Sequence, residues 1–335
     1  MRWKGFIGLL LSFVLLFFIF STVDFGQLVN ALRSAQYSLL FLAAFLHIFT
    51  LLVRAWRWQY LMAPLKSIRV MSLLSAISIG FMANMVLPAR TGEVVRAYVI
   101  GQKEQVSKVA SFATIVLERF FDLGMVLLIV LFLLVFFGAP LNTGFLVNGL
   151  EKLMVFSLVV LVLCIGFFYF FKLRKVEAEK LTTWFLSKFP EKRLKNITEK
   201  LQAFAVGLQS LKKGEHVFQI LLTSFLLWLT MVLANFLVLR SFHLDLPVYA
   251  PFVLLVAQVL GVMIPSSPGF IGTYHAAVVA SFALFEVPGE LALSAAIVMH
   301  ASFFFPFILI GFIFLWRENI GLQDLWPGKT AGSSS

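Results

Sequence analysis

"NMVLPARTGEVVRA", residues 84–97, decides how this chain folds. Proline, glycine, asparagine, glutamate and two arginines stand here among long runs of Leu, Phe and Val. The 335-residue chain is 61% hydrophobic and only 13% charged. Soluble domains run near half apolar and about a quarter charged, so the composition is that of an integral membrane protein. Stretches such as "GFIGLLLSFVLLFFIF" (5–20) and "GMVLLIVLFLLVFF" (124–137), with their flanks, reach the roughly 20 apolar residues that cross a hydrocarbon core. A helix breaker beside three charges therefore needs a reason.

The loop charges supply one. Arg2 and Lys4 place the N-terminus in the cytoplasm, and the apolar run to Phe20 lacks a small-residue cleavage site, so an uncleaved first helix is expected. The connection 21–36, with only Arg33 and Asp24, is read as external. A second helix, about 37–56, returns to "RAWRWQYLMAPLKSIR", where Arg54, Arg57, Lys66 and Arg69 mark the cytoplasm and Trp56 and Trp58 suit an aromatic belt. Residues 172–213 hold eleven lysines and arginines against four glutamates, a local balance of +7. The segment 172–215 reads as a basic cytoplasmic loop on anionic lipid, too short for an enzyme domain of its own. If 70–88 simply crossed the membrane, this loop would arrive on the wrong side.

The conflict disappears if 70–104 enters from the cytoplasm, breaks at "NMVLPARTGE" and turns back. Residues 108–137 then cross outward, and "GAPLNTGFLVNGL" is a nearly uncharged external loop. The helices about 153–171, 216–240 and 290–316 complete the set. Between the last two, 249–287 must cross an even number of times. Its two apolar pieces, broken by "IPSSPGFIGT", read as a second re-entrant hairpin entering from outside. The fold class expected is an all-α polytopic membrane protein with six full crossings, two broken hairpins and both termini cytoplasmic. Residues 1–316 form a single transmembrane domain, and 317–335 a polar tail. Two ordinary spans per hairpin is the alternative. Non-helical backbone at membrane depth is tolerated only where protein or water satisfies it, and paired breaks point to a transporter's binding site. The two breaks, entered from opposite faces, are expected to meet near the midplane.

Charges inside the membrane are the second signal. "SFATIVLERFFDLGMVLLIV" sets Glu118, Arg119 and Asp122 within one helix, where each charge costs roughly 2.5–3.5 kcal/mol on insertion scales. Glu118 and Asp122, four apart, share a face, and Arg119 lies three from Asp122. In the first hairpin Arg90, Glu93 and Arg96 leave one positive charge. The simplest arrangement pairs the two sets. It reads either as an ion network locking helices or as a polar cavity for a charged headgroup, with a lipid phosphate taking the place of a carboxylate at Arg90 or Arg96. In "PSSPGFIGTYHAA", the breakers Pro265, Pro268 and Gly272, with Gly269, precede a new helix. Its first-turn amides, with Ser266, Ser267 and Thr273, form a candidate anion seat, the alternative being a purely geometric turn.

His275 reads first as a hydrogen-bonded interior residue and second as a ligand, and with Asn84 it joins the candidate headgroup residues. His47, His243 and His300 are scattered, and no spacing suggests a metal. The lone Cys164 lies in an apolar helix and allows no internal disulfide. Without a P-loop, dinucleotide fingerprint or nucleophile elbow, neither a cofactor nor catalytic residues are expected. The net charge of +11 fits topology and anionic headgroups rather than nucleic acid.

Three ordered motifs carry a family resemblance over about residues 70–315. They are Asn84, Pro88, Arg90, Gly92 and Glu93 in the first break; Glu118, Arg119 and Asp122; and Pro268, Gly269 and Gly272. Together they resemble the bacterial and archaeal lysylphosphatidylglycerol synthase transmembrane region, a family that includes the flippase part of the multiple peptide resistance factor. The resemblance implies lipid translocation between leaflets, with membrane lipids of anionic or polyprenyl-phosphate type as partners. A second copy of the chain or a lipid-modifying enzyme are the protein partners to expect. Some relatives are labelled polyprenyl-phosphate glycosyltransferases, the rival reading. This chain stops after its last helix without a soluble aminoacyl-transferase domain, so synthesis of lysyl-lipid is not expected. His275 stands where members often carry Glu, which argues against a lysyl-bearing substrate and introduces a group that titrates near neutrality.

Overall fold

The computed structural model describes residues 24–87, 91–137, 214–264 and 267–321, with a few isolated helical positions elsewhere. Among them there is helix and no strand. In order these are α1 (Phe25–Ser34), α2 (Tyr37–Met62), α3 (Val70–Val86), α4 (Gly92–Glu104), α5 (Lys108–Phe137), α6 (Gly214–Ser241), α7 (Ala250–Met263), α8 (Thr273–Phe282) and α9 (Gly289–Arg317). A 3₁₀ turn, Pro268–Phe270, lies between α7 and α8, and a second, Ala283–Phe285, follows α8. Four of the expected crossings coincide with α2, α5, α6 and α9, each long and apolar enough to span a membrane. The other two, the first helix and 153–171, lie outside the described residues, as do the basic loop and Cys164.

The connection 21–36 contains a short helix. Asp24 accepts from the Gly26 and Gln27 amides and starts α1, which buries Leu28 against the protein. One expectation needs correction: α2 continues to Met62 instead of stopping near 56. Its extra turns carry Arg57 and Trp58 inside the protein, both fully buried, whereas Trp56 stays exposed. Trp58 is therefore not an aromatic-belt residue.

Both breaks fall where sequence chemistry places them. A residue before proline is pushed out of the α region. Leu87, before Pro88, is extended and ends α3; Ile264, before Pro265, is extended and ends α7. The second break then passes through left-handed backbone at Gly269, Phe270 and Gly272 before α8 begins. A stretch of 18 residues, Pro268–Phe285, is apolar enough to span. Its continuous α-helix is only ten residues, however, about 15 Å long, and α7 with 14 residues reaches about 21 Å.

The described residues fall into two compact units. The first comprises Met1–Trp56, Arg69–Val99 and Phe225–Ser335. There α9 runs along α3, with Gly311 set against Met82 and the Ser78 carbonyl, and Ser75 donates to Glu318 at the end of α9. Ala43, Ala234, Ala250, Ala292 and Ala295 pack with Leu254, Tyr274, Val278 and Phe282 in its core. Small residues at helix contacts are what membrane packing favours, since lipid is as apolar as the core. The second unit comprises Arg57–Ile68 and Ile100–Ser224. In it the Trp58 indole donates to Thr114, which donates in turn to the Ser111 carbonyl, fixing the end of α2 to α5.

Candidate functional site: two broken helices and a buried ion cluster

In the second unit, the α2 register set by Trp58 aims Arg57 at the acidic face of α5. Its Nη1 lies 2.7 Å from Asp122 and 3.0 Å from the Ser224 hydroxyl, and its Nη2 lies 3.1 Å from Glu118. Arg119 closes the other side, 2.8 Å from Glu118 and 3.3 Å from Asp122. Arg57 and Glu118 are sealed, Asp122 is 13% exposed, and the Arg119 side chain is 47% exposed. Two acids and two bases balance. Arg57 is the residue that sequence reasoning missed, because ending α2 near 56 made it a loop cation. The signal was its place one turn beyond Arg54 in an unbroken helical pattern.

In the first unit, the first break is closed by Asn84. Its side-chain oxygen accepts from the Gly92 amide at 2.7 Å, capping α4, while its nitrogen reaches Glu93 at 3.5 Å. Glu93 in the first turn also suits the positive end of the helix dipole. The returning arm lies directly on the entering one: a Cβ on Gly92 would sit 2.1 Å from the Gly80 carbonyl oxygen. Arg96, buried, lies beside Gly80 on the same face of the hairpin. Arg54, on α2, stacks over the Phe81 ring, 5.0 Å from its centroid.

The second break is built from backbone and neutral side chains. α7 and α8 approach at Gly261, where a Cβ would lie 2.8 Å from the Thr273 carbonyl oxygen. Ser267 donates to the Ile271 carbonyl, Thr273 reaches the Phe270 carbonyl at 3.4 Å, and the Gly272 amide reaches His275 Nδ1 at 3.5 Å. His275 is thus an interior residue tied to its own helix start. His300 of α9, passed over in the sequence as scattered, holds the Gly269 carbonyl at 2.9 Å. Its partner lies 31 positions away, a distance no local pattern reveals.

The two breaks adjoin. A Cβ on Gly269 would lie 3.5 Å from the Met85 carbonyl oxygen, in the last turn of α3, and 2.6 Å from the Phe304 ring. Asn84, Gly92, Glu93 and Arg96 thus belong to the same unit as Ser267, Pro268, Gly269, Gly272, Thr273 and His275. Glu118, Arg119 and Asp122 form the separate cluster of the other unit. Pro88, Arg90, Pro265 and Ser266 lie outside the described residues. Among the described residues no three His, Cys, Asp or Glu side chains gather to hold a metal.

Long apolar helices, together with two pairs of shorter helices joined at adjoining breaks, define a multi-pass helical membrane protein. The chain belongs to the lysylphosphatidylglycerol synthase TM region family, whose model matches residues 5–311. It is 24% identical to a UPF0104 membrane protein of Methanothermobacter thermautotrophicus, over 93% of this chain and 92% of that one. A UPF0104 membrane protein of Methanocaldococcus jannaschii is 22% identical, over 94% and 96% of the two chains. A glycosyltransferase, AglD, of Haloferax volcanii is 31% identical over 117 residues, which are 35% of this chain and 19% of that protein. No solved structure matches.

Proposed function

We propose that this protein moves a phospholipid or lipid-linked headgroup between the leaflets of the cytoplasmic membrane. The observation that carries the reading is the meeting of two helix breaks, Met85 against Gly269, within one unit of an apolar protein. Backbone freed from helices at membrane depth needs polar company, and a passing headgroup can share it. α7 and α8, about 21 and 15 Å long, fall short of a hydrocarbon core of about 30 Å, which favours a re-entrant hairpin over two spans. On this reading the chain makes six crossings with both termini cytoplasmic. The headgroup passes the two breaks while the acyl chains stay in lipid. Arg90 and Arg96 attract its phosphate, and Glu93 balances them. The Glu118–Asp122 cluster, through half-exposed Arg119, is a second polar station. The protein acts alone, as a dimer, or beside a lipid-modifying enzyme.

The test is reconstitution in liposomes carrying fluorescent phospholipid, with dithionite quenching of the outer leaflet. Wild type should equilibrate the label faster than protein-free vesicles, and Asp122→Ala should be at least tenfold slower. Equal rates for the two proteins would remove the cluster from the path. The partial likeness to a protein named as a glycosyltransferase favours one second reading, an enzyme acting on polyprenyl-phosphate-linked sugar. Product formed from polyprenyl phosphate and nucleotide sugar by the purified protein would establish it against transport.

A further inference from the structure

The first unit holds a group of ionisable side chains that headgroup passage leaves unused. His275 and His300 lie with ring centroids 5.0 Å apart, nearly perpendicular at 79°. Tyr274 packs on His300 at 4.9 Å and against His275 at 5.7 Å. Phe303 links this group to His47 of α2, at 5.7 Å. His47, Tyr274, His275 and His300 are buried and Phe303 partly so, and the Tyr274 hydroxyl has no hydrogen-bond partner.

The hydrogen bonds fix the tautomers. A carbonyl oxygen only accepts, so His300 Nε2, 2.9 Å from the Gly269 oxygen, carries the hydrogen and leaves a lone pair on Nδ1. The Gly272 amide donates to His275 Nδ1, over a long 3.5 Å, so neutral His275 carries its hydrogen on Nε2. The pair therefore contains one committed donor and one vacant basic nitrogen. With His275 7% and His300 6% exposed, no headgroup fits beside them. The ligand small enough is a proton.

We propose that His275 and His300 form a proton-binding site, with His300 Nδ1 as the acceptor, whose occupancy is coupled to lipid movement past the second break. The coupling half rests on the transporter reading above. Intramembrane histidine chains are a recurring means of proton transfer in transporters. A proton on His300 strengthens its hold on the Gly269 carbonyl, because the bond becomes charge-assisted. It also sets a positive charge against His275 and the positive end of α8. The turn is held more firmly while the helix after it is repelled, so one proton changes the balance of forces at the break. Among the described residues of this unit, α4 carries Glu93, held near Asn84, and buried Arg96, and α6 ends in Arg240, paired with Asp245. α3 and α7 contain no ionisable side chain, and α8 contains only Tyr274 and His275. On α9 the charged residues are Glu290 and Arg317, at its two ends. α2 contributes His47 and, two turns on, Arg54; α1 contributes Arg33.

The experiment uses the full chain, labelled with ¹⁵N-histidine, in nanodiscs of phosphatidylglycerol and phosphatidylcholine. Ring-nitrogen signals are followed from about pH 8 to about pH 4. The His275 and His300 signals should change in one coupled step. His275→Gln, which keeps an acceptor for the Gly272 amide, should move the His300 midpoint by at least about half a pH unit, and His300→Gln should remove the shift at His275. His243→Asn, at an exposed turn with positive φ, should leave both unchanged. Rings that stay neutral throughout, or titrate indifferently to each other's substitution, would overturn the site. In liposomes, wild-type lipid movement should depend on pH and His300→Gln should flatten that dependence; identical profiles would overturn the coupling. If wild type moved no lipid at any pH, the transporter reading and the coupling built on it would fall together, and the titration would still decide the proton site.

Discussion

The two polar places in this protein meet the cost of leaving hydrocarbon with opposite chemistry. The ion cluster keeps its helices intact and neutralises full charges: Arg57 and Arg119 clamp Glu118 and Asp122. The paired breaks give up helix and satisfy backbone with neutral side chains, through Asn84 at Gly92 and His300 at Gly269. The buried Arg57–Glu118 pair resists rearrangement, because separating it strands a charge in the interior. Backbone held by single neutral hydrogen bonds exchanges partners at far lower cost. The comparison assigns rigidity to Arg57 and its carboxylates, and movement to the breaks.

Substitutions sharpen this contrast, and the largest effect belongs to Arg57. Arg57→Ala leaves Glu118 and Asp122 to share half-exposed Arg119, and removing one partner of a buried pair costs about 3–5 kcal/mol. Unfolding of the reconstituted protein by denaturant should show that loss. A cost under 1 kcal/mol would mean the cluster is wet and adjustable. Gly92→Ala comes next. Its Cβ would meet the Gly80 carbonyl oxygen at 2.1 Å, so the hairpin must open, at about 1–3 kcal/mol. Unfolding by denaturant should show that loss, and an unchanged midpoint would contradict the close approach of the arms at Gly80 and Gly92. Asn84→Ala removes the cap of α4 and should cost about 1 kcal/mol, with faster hydrogen exchange confined to the start of that helix. Exchange rising equally along α4 would show that Asn84 does more than cap. Arg119→Gln should cost least, under about 1 kcal/mol, since half-exposed ion pairs contribute little. Its effect should fall on lipid movement and not on the unfolding midpoint.

How much was legible in the sequence follows from the range of the interactions. The breaks were readable because proline acts on the residue immediately before it, and both Leu87 and Ile264 obey that rule. The long helices were readable from apolar length alone. α1 was not, because ten residues with one buried leucine look like any polar connection. Arg57 was lost because charge was used to end a helix that tertiary packing carries on to Met62. Glu118 and Asp122 were rightly suspected of needing a base, yet Arg57, 61 and 65 positions away, was not among those set against them. The hold of His300 on Gly269 belongs to the same class, being made only when α9 packs against the turn.

The central claim is that a lipid headgroup passes where Met85 and Gly269 adjoin. The direct measurement is photo-cross-linking with phosphatidylglycerol carrying a diazirine in its headgroup, followed by mapping of the adducts by mass spectrometry. The account predicts adducts concentrated on residues 85–93 and 267–272, reduced when unlabelled phosphatidylglycerol competes. Adducts confined to the outer faces of the long helices, such as Phe305 and Leu309, and indifferent to competition, would contradict it.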